Sequence, residues 1–128
     1  MSSIRVLIVD DSSVMRKIVD RSLRQAGIEV GEVLEASNGT EALAQVRQTR
    51  VDLIVSDINM PGMDGLELVG QLQGMENARG VPIVMITTEA GESHVVKALA
   101  GGARGYIKKP FNAEQIKERV IPLLVQKP

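Results

Sequence analysis

Cysteine and tryptophan are absent from this 128-residue chain, and aromatic side chains amount to one Tyr and one Phe. Without cysteine there is no disulfide, no thiol nucleophile and no thiolate metal site. Without aromatics, single-stranded nucleic acid finds no stacking platform. Charge of one sign is lacking as well. The 15 basic and 16 acidic residues leave a net charge of −1, where a nucleic-acid-binding domain is expected to be basic. Long apolar runs are missing: stretches such as residues 6–9 and 81–86 fall far short of the roughly 18 residues of a membrane span. Residues 1–10 carry too short an apolar segment, with no small-residue cleavage pattern after it, to be a signal peptide. These absences leave a soluble, cytoplasmic chain with no nucleic-acid or membrane partner as the expectation.

What is present is aliphatic. Hydrophobic residues make up 44% of the chain, an ordinary share for a globular domain, so the core must be built from Val, Ile, Leu, Ala and Met. Such a core suits strands buried on both faces. The length fits one domain, large enough to bury about two-thirds of its unfolded surface. Five short aliphatic runs recur, at Ile4–Val9, Val30–Ala36, 51–56, 82–87 and Gly105–Lys108. Helical periodicity fills the intervals. Val14, Ile18 and Ala26, with Met15, Val19 and Leu23 beside them, mark a helix that Gly27 can close. Ala42, Leu43 and Val46 follow Asn38, a candidate N-cap. Leu66, Val69 and Leu72 form a third stripe, and Val95, Val96 and Leu99 a fourth, closed by Gly101-Gly102. Ile116, Val120, Leu123 and Leu124 form a fifth, opened by Asn112 and Gln115 in a capping-box pattern. The alternation predicts an α/β fold: a five-stranded parallel sheet, (βα)5 and doubly wound.

In such a sheet, ligands bind at the carboxyl ends of the strands. Those ends carry Asp10-Asp11, Asp57, Thr87-Thr88 and Lys108-Lys109-Pro110, while Ser37-Asn38 after the second strand carries nothing comparable. Taken singly, each has an ordinary explanation. Asp10 or Asp11 could cap a helix, Thr87 could be a β-branched strand residue, and Lys109 could sit in a solvated turn. Around one rim they make a different pattern. Three converging carboxylates need cations; Lys109 supplies one positive charge and a divalent metal the other two. Mg²⁺ fits the hard oxygen donors. Ca²⁺ lacks its loop pattern, and zinc lacks nearby His or Cys. A carboxylate nucleophile, Mg²⁺ and two donors for developing oxyanion charge describe a phosphoryl-transfer site.

The segments Leu7-Ile8-Val9-Asp10-Asp11, Ser56-Asp57-Ile58-Asn59-Met60-Pro61-Gly62-Met63-Asp64-Gly65, Ile86-Thr87 and Tyr106-Ile107-Lys108-Lys109-Pro110-Phe111 together resemble the receiver domain of two-component response regulators. Within that family the chain is most similar to stand-alone chemotaxis regulators of the CheY type. The resemblance spans the chain. It implies a flavodoxin-like, CheY-like fold and a single receiver domain over residues 1–128, with its core at about 4–125. It implies that Asp57 accepts a phosphoryl group from a histidine kinase or a small acyl phosphate. Asp10, Asp11, Asp57 and the backbone carbonyl of Asn59 would hold Mg²⁺, and Thr87 and Lys109 would bind phosphoryl oxygens. Thr87 and Tyr106 would be the switch pair, Asn59 and Glu89 would tune dephosphorylation, and the Lys109–Pro110 bond would be cis. The signalling surface would comprise residues 92–100, 104–108 and 112–125. Ile58 replaces the Trp of well-known chemotaxis members, and Thr88 stands where many have Ala, beside the path of Tyr106. Arg16, Lys17, Arg21 and Arg24 would either dock an acidic kinase surface or form only a solvated face. Met60 and Met63 are expected to pack as apolar side chains, and His94 to lie exposed on a helix.

The expected function is a phosphoacceptor switch in chemotaxis and flagellar motor control. Only self-catalysed phosphorylation and dephosphorylation are expected, not enzyme turnover. Its partners would be a histidine kinase, an output protein such as a flagellar motor switch component, and a phosphatase; the chain would be a monomer. A phosphorelay intermediate or a receiver fragment of a larger regulator is the alternative. An aspartyl-nucleophile phosphatase ranks lower, because it needs an acid two residues after the nucleophile, where this chain has Asn59. A flavin carrier ranks lower again, for want of a phosphate cradle and aromatics.

Overall fold

The five aliphatic runs form one parallel sheet of β1 (Ile4–Val9), β2 (Val30–Ala36), β3 (Leu53–Asp57), β4 (Ile83–Thr87) and β5 (Gly105–Lys108), in the order β2-β1-β3-β4-β5. The structure is a computed structural model that describes residues 3–60, 62–87 and 92–125. Two strand boundaries differ from the sequence reading. β3 starts at Leu53 and ends on Asp57 itself, so the acid belongs to the strand and is aimed by it. β4 starts at Ile83 because Pro82 has no N–H to give the ladder; the Pro82 carbonyl still accepts from Ile54 N–H at 3.0 Å.

Successive strand residues point to opposite faces, and two aliphatic cores result. Val6, Ile8, Leu53, Val55, Val84, Ile86 and Ile107 face one side; Leu7, Val9, Ile54, Ile83 and Met85 face the other. The first core is covered by α1 (Ser13–Gln25) and α5 (Ala113–Val125). The second is covered by α2 (Gly39–Gln48), α3 (Gly65–Gln73) and α4 (Glu92–Ala100). Both aromatics are only partly buried, at the margins of these cores. The aliphatic core inferred from composition is therefore what the sheet contains. Among the described residues no helix is long and apolar enough to cross a membrane.

The helix ends follow local chemistry. Ser12 caps α1, its Oγ accepting from Met15 N–H at 3.2 Å. Gly27 closes it at φ +92°, with Gly27 N–H on Arg24 O at 3.1 Å and Ile28 N–H on Leu23 O at 3.2 Å, a Schellman ending. Asn38 caps α2 through Glu41 N–H at 2.8 Å. Asn112 and Gln115 exchange reciprocal bonds, each 2.9 Å, at the start of α5. That helix runs through Pro122.

Two apolar stripes depart from expectation. In α1 the buried side is Val19, Ser22, Leu23 and Ala26, which leaves Val14 65% and Ile18 43% exposed. One residue is about 100° of arc on a helix, so the neighbouring stripe of Met15 and Val19 takes the core. In α4, Ala98 is buried, whereas Val96 is 60% and Leu99 43% exposed. The Val95 side chain of the same stripe lies outside the described residues.

Candidate functional site

Strand order brings the acids together. β1 lies between β2 and β3, so the chain leaves β1 at the point where successive connections turn to opposite sides of the sheet. Val9 pairs with Ser56, which sets Asp10 beside Asp57 one residue further along. Asp10 is held by its own N–H on Ala36 O at 3.1 Å. Its Oδ1 accepts from Ser12 N–H at 2.9 Å. Because Ser12 is the cap, helix capping does not explain the acid pair: Asp11 is left exposed, and Asp10 keeps its second oxygen for the cleft.

Asp10 is 3% and Asp57 8% exposed. Oxygens of Asp10, Asp11 and Asp57 lie within 4.8 Å of one another. Lys109 reaches both buried acids without pairing closely with either: its Nζ lies 3.4 Å from Asp10 Oδ2 and 3.6 Å from Asp57 Oδ2. The position of Lys109 is fixed through the backbone, by its N–H on Thr87 O at 2.7 Å; the Lys109–Pro110 bond is cis. Thr87 is fully buried at the end of β4. Asn59 lies at the exposed mouth, its N–H on Asp57 Oδ1 at 3.2 Å.

Burial pushes the Asp57 carboxyl above the usual carboxylate range. The Lys109 ammonium pulls it back, the Asp10 charge raises it further, and the Asn59 N–H lowers it. The rim is thus short of positive charge, with three carboxylates against one distant amine. Hard oxygen donors at this spacing fit Mg²⁺. Below them, α3 packs directly on the Asp57 backbone. A Cβ on Gly65 would meet the Asp57 carbonyl oxygen, and Met85 Cε at 2.6 Å and Ile58 Cα at 2.7 Å as well. Gly65 of the loop motif is therefore required by close approach.

Met60 is buried and Met63 packs on the same core. Ile58 is buried at 1% exposure, an aliphatic core residue. Tyr106 is half-buried on β5. Thr88, Glu89 and the His94 side chain lie outside the described residues. The basic face of α1 is smaller than expected: Arg24 pairs with Asp20 at 2.8 Å, and Arg16 with Glu35 at 2.7 Å, which leaves Lys17 and Arg21.

Arg16 has a task at the site that the sequence reading missed. Its Nη1 donates to Asp10 O at 2.6 Å while Glu35 holds its Nε. It props the turn that carries the acid pair. The available signal was an arginine one turn into the helix that follows two acids, which is indistinguishable in sequence from a solvated base.

The chain matches the family model described as "Response regulator receiver domain" over residues 6–121. It is 38% identical over 116 residues to the chemotaxis protein CheY of Pseudomonas aeruginosa, covering 91% of this chain and 92% of that protein. It is 40% identical over 117 residues to chemotaxis protein CheY1 of Helicobacter pylori, covering 91% and 93% of the two chains. The solved structure of the chemotaxis response regulator CheY4 of Vibrio cholerae is similar at a TM-score of 0.84 and 38% identity, covering 96% of this chain and 100% of that one. With the acid rim at the ends of β1 and β3 and a lysine after β5, these matches show that the chain belongs to the response regulator receiver family.

Proposed function

We propose that this phosphoacceptor switch takes its phosphoryl group on Asp57 and passes the signal on in chemotaxis. The observation that carries the assignment is Asp57 itself: a buried carboxylate, raised in pKa, at the centre of a rim short of positive charge. In the transfer, an Asp57 oxygen forms a bond to phosphorus as the P–N bond of a phosphohistidine breaks. The electron pair leaves with the imidazole nitrogen. Asp10, Asp11, Asp57 and the Asn59 carbonyl would hold Mg²⁺, which when bound supplies positive charge to the phosphoryl oxygens. Lys109, already poised between two carboxylates, donates to a phosphoryl oxygen, and the Thr87 hydroxyl donates to another. Drawing Thr87 to the phosphoryl group lets Tyr106 turn inward. Asn59 and Glu89 tune hydrolysis of the acyl phosphate.

A receiver implies a histidine kinase as donor and a downstream output. The relatives named as chemotaxis proteins support a flagellar motor switch component as that output. Phosphorylation and dephosphorylation are self-catalysed in this reading, and the chain acts as a cytoplasmic monomer whose single domain covers residues 1–128. Asn59 at the second position after the nucleophile argues against an aspartyl phosphatase.

Intact-mass spectrometry after treatment with acetyl phosphate and Mg²⁺ tests the assignment. Wild type should gain one phosphoryl group and Asp57→Asn none. Equal labelling of both would refute it. Lys109→Arg should still be labelled but should change partner binding less than wild type does.

A further inference from the structure

Tyr106 stems from β5, an edge strand, and packs against the core face covered by α2, α3 and α4. Helix α5 packs on the opposite face. A residue of α5 nevertheless covers the ring: the guanidinium carbon of Arg119 lies 5.4 Å from its centroid. The edge of the sheet allows this, because a long side chain can reach round it. The separation falls within the range of cation–π attraction, for which arginine is well suited. Glu118 lines the same cleft, of about 230 Å³, together with Tyr106, Ile107, Lys108, Gln115 and Arg119. Yet among the described residues no carboxylate forms an ion pair with Arg119. The ring is the contact its charge makes.

We propose that Arg119 is a positioning residue of the switch, holding Tyr106 at the sheet edge and so biasing the chain toward its unphosphorylated state. The inference rests on the reading above, in which Tyr106 turns inward as Asp57 is phosphorylated. In that reading an inward turn would take the ring away from the guanidinium, so the contact would belong to one state alone, and only such contacts shift a two-state balance. By reciprocity, a residue that favours the outward ring must weaken binding of a phosphoryl group or its mimic at Asp57. A partly exposed cation–π contact should be worth roughly a two- to fivefold shift in that balance.

The chain carries its own reporter. Tyr106 is the single tyrosine and there is no tryptophan, so tyrosine emission reports this ring and no other. Beryllofluoride with saturating Mg²⁺ is titrated into wild type, Arg119→Gln and Arg119→Lys. Binding is followed by fluorine NMR and ring movement by tyrosine emission, with far-UV circular dichroism confirming that each variant is folded. Arg119→Gln should lower the half-saturating beryllofluoride concentration about two- to fivefold, and Arg119→Lys should stay near wild type. An unchanged or raised midpoint in Arg119→Gln overturns the proposal. So does an equal drop in both variants, which would assign the effect to packing rather than to the cation. If wild type binds beryllofluoride without any change in tyrosine emission, the switch reading fails first and the proposal falls with it. If wild type binds none, the phosphoacceptor reading is what fails, and again Arg119 has nothing to bias.

Discussion

The two ends of the sheet are furnished in opposite ways. At the amino end polar groups are matched. Asp52 accepts from Arg5 N–H at 2.9 Å, Arg5 pairs with Glu32 at 2.7 Å, and Arg50 donates to the carbonyls of Asn77 and Arg79 at 3.0 and 2.9 Å. The Asn77 side chain in turn satisfies the carbonyls of Val46 and Arg47. At the carboxyl end the acids outnumber their cation, and the ion distances are 3.4 and 3.6 Å. One end holds the fold together; the other stores an electrostatic deficit for a ligand to relieve. A departure from local satisfaction that is confined to one rim marks function.

Removing charge should therefore have different consequences at the two ends. The largest effect is expected for Lys109→Met. Its partners are almost fully buried, and leaving buried charge unpaired should cost about 3 kcal/mol of stability without Mg²⁺, read as a lower urea midpoint. Saturating Mg²⁺ should restore most of that loss, since a ligand bound only by the folded state stabilises it by mass action. Arg50→Met at the other end should cost only about 1 kcal/mol for its lost hydrogen bonds, with no response to Mg²⁺. Equal Mg²⁺ responses in the two variants would erase the contrast.

Asp57→Asn should stabilise the metal-free protein at neutral pH, because it removes a charge that burial penalises. Asp52→Asn should instead destabilise by about 1 kcal/mol. The sign also predicts a pH dependence. A carboxyl whose pKa is higher folded than unfolded binds more protons in the folded state, so its penalty falls as the pH drops through the folded value. The stability gap between Asp57→Asn and metal-free wild type should thus narrow on acidification. It should vanish only below the ordinary Asp value of 3.8. A gap that stays constant down to that pH would mean that packing, not charge, sets it.

Which of these features the sequence discloses depends on how local their cause is. Strand rhythm, the Asn38 and Asn112 caps and the Gly27 stop are set by neighbouring residues, and they read directly. Asp10, Asp57 and Lys109 were legible because parallel topology places strand ends side by side whatever the loops do. The buried faces of α1 and α4 were not. Val14 and Val96 are as apolar as the residues that won the core, and only the packing of the sheet decides which stripe faces in. Arg16 and Arg119 were invisible for the same reason: a base on a helix carries no mark of whether it reaches water, a carbonyl or a ring on another element.

Pro122 illustrates a smaller departure, outside both rims. It sits in the last turn of α5, exposed, where it withholds one N–H from the helix ladder. Replacing it with Ala should stabilise by about 1 kcal/mol, below the roughly 3 kcal/mol of a mid-helix proline. The response should be independent of Mg²⁺ and of pH, unlike that of Asp57→Asn.

The smallest effect is expected from an ion pair that belongs wholly to the amino end. Arg5 and Glu32 keep 42% and 53% of their side-chain surface, so their attraction is screened and offset by the ordering of two long side chains. Glu32→Gln should cost less than about 1 kcal/mol, and the difference from wild type should shrink further in molar salt. Arg5 would lose little else, because its Nη1 still donates to Arg50 O at 3.0 Å. Urea midpoints at low and high salt measure this. A loss as large as that of Lys109→Met would show the amino end to be as dependent on a single charge as the carboxyl end, and the division of labour between the two would not stand.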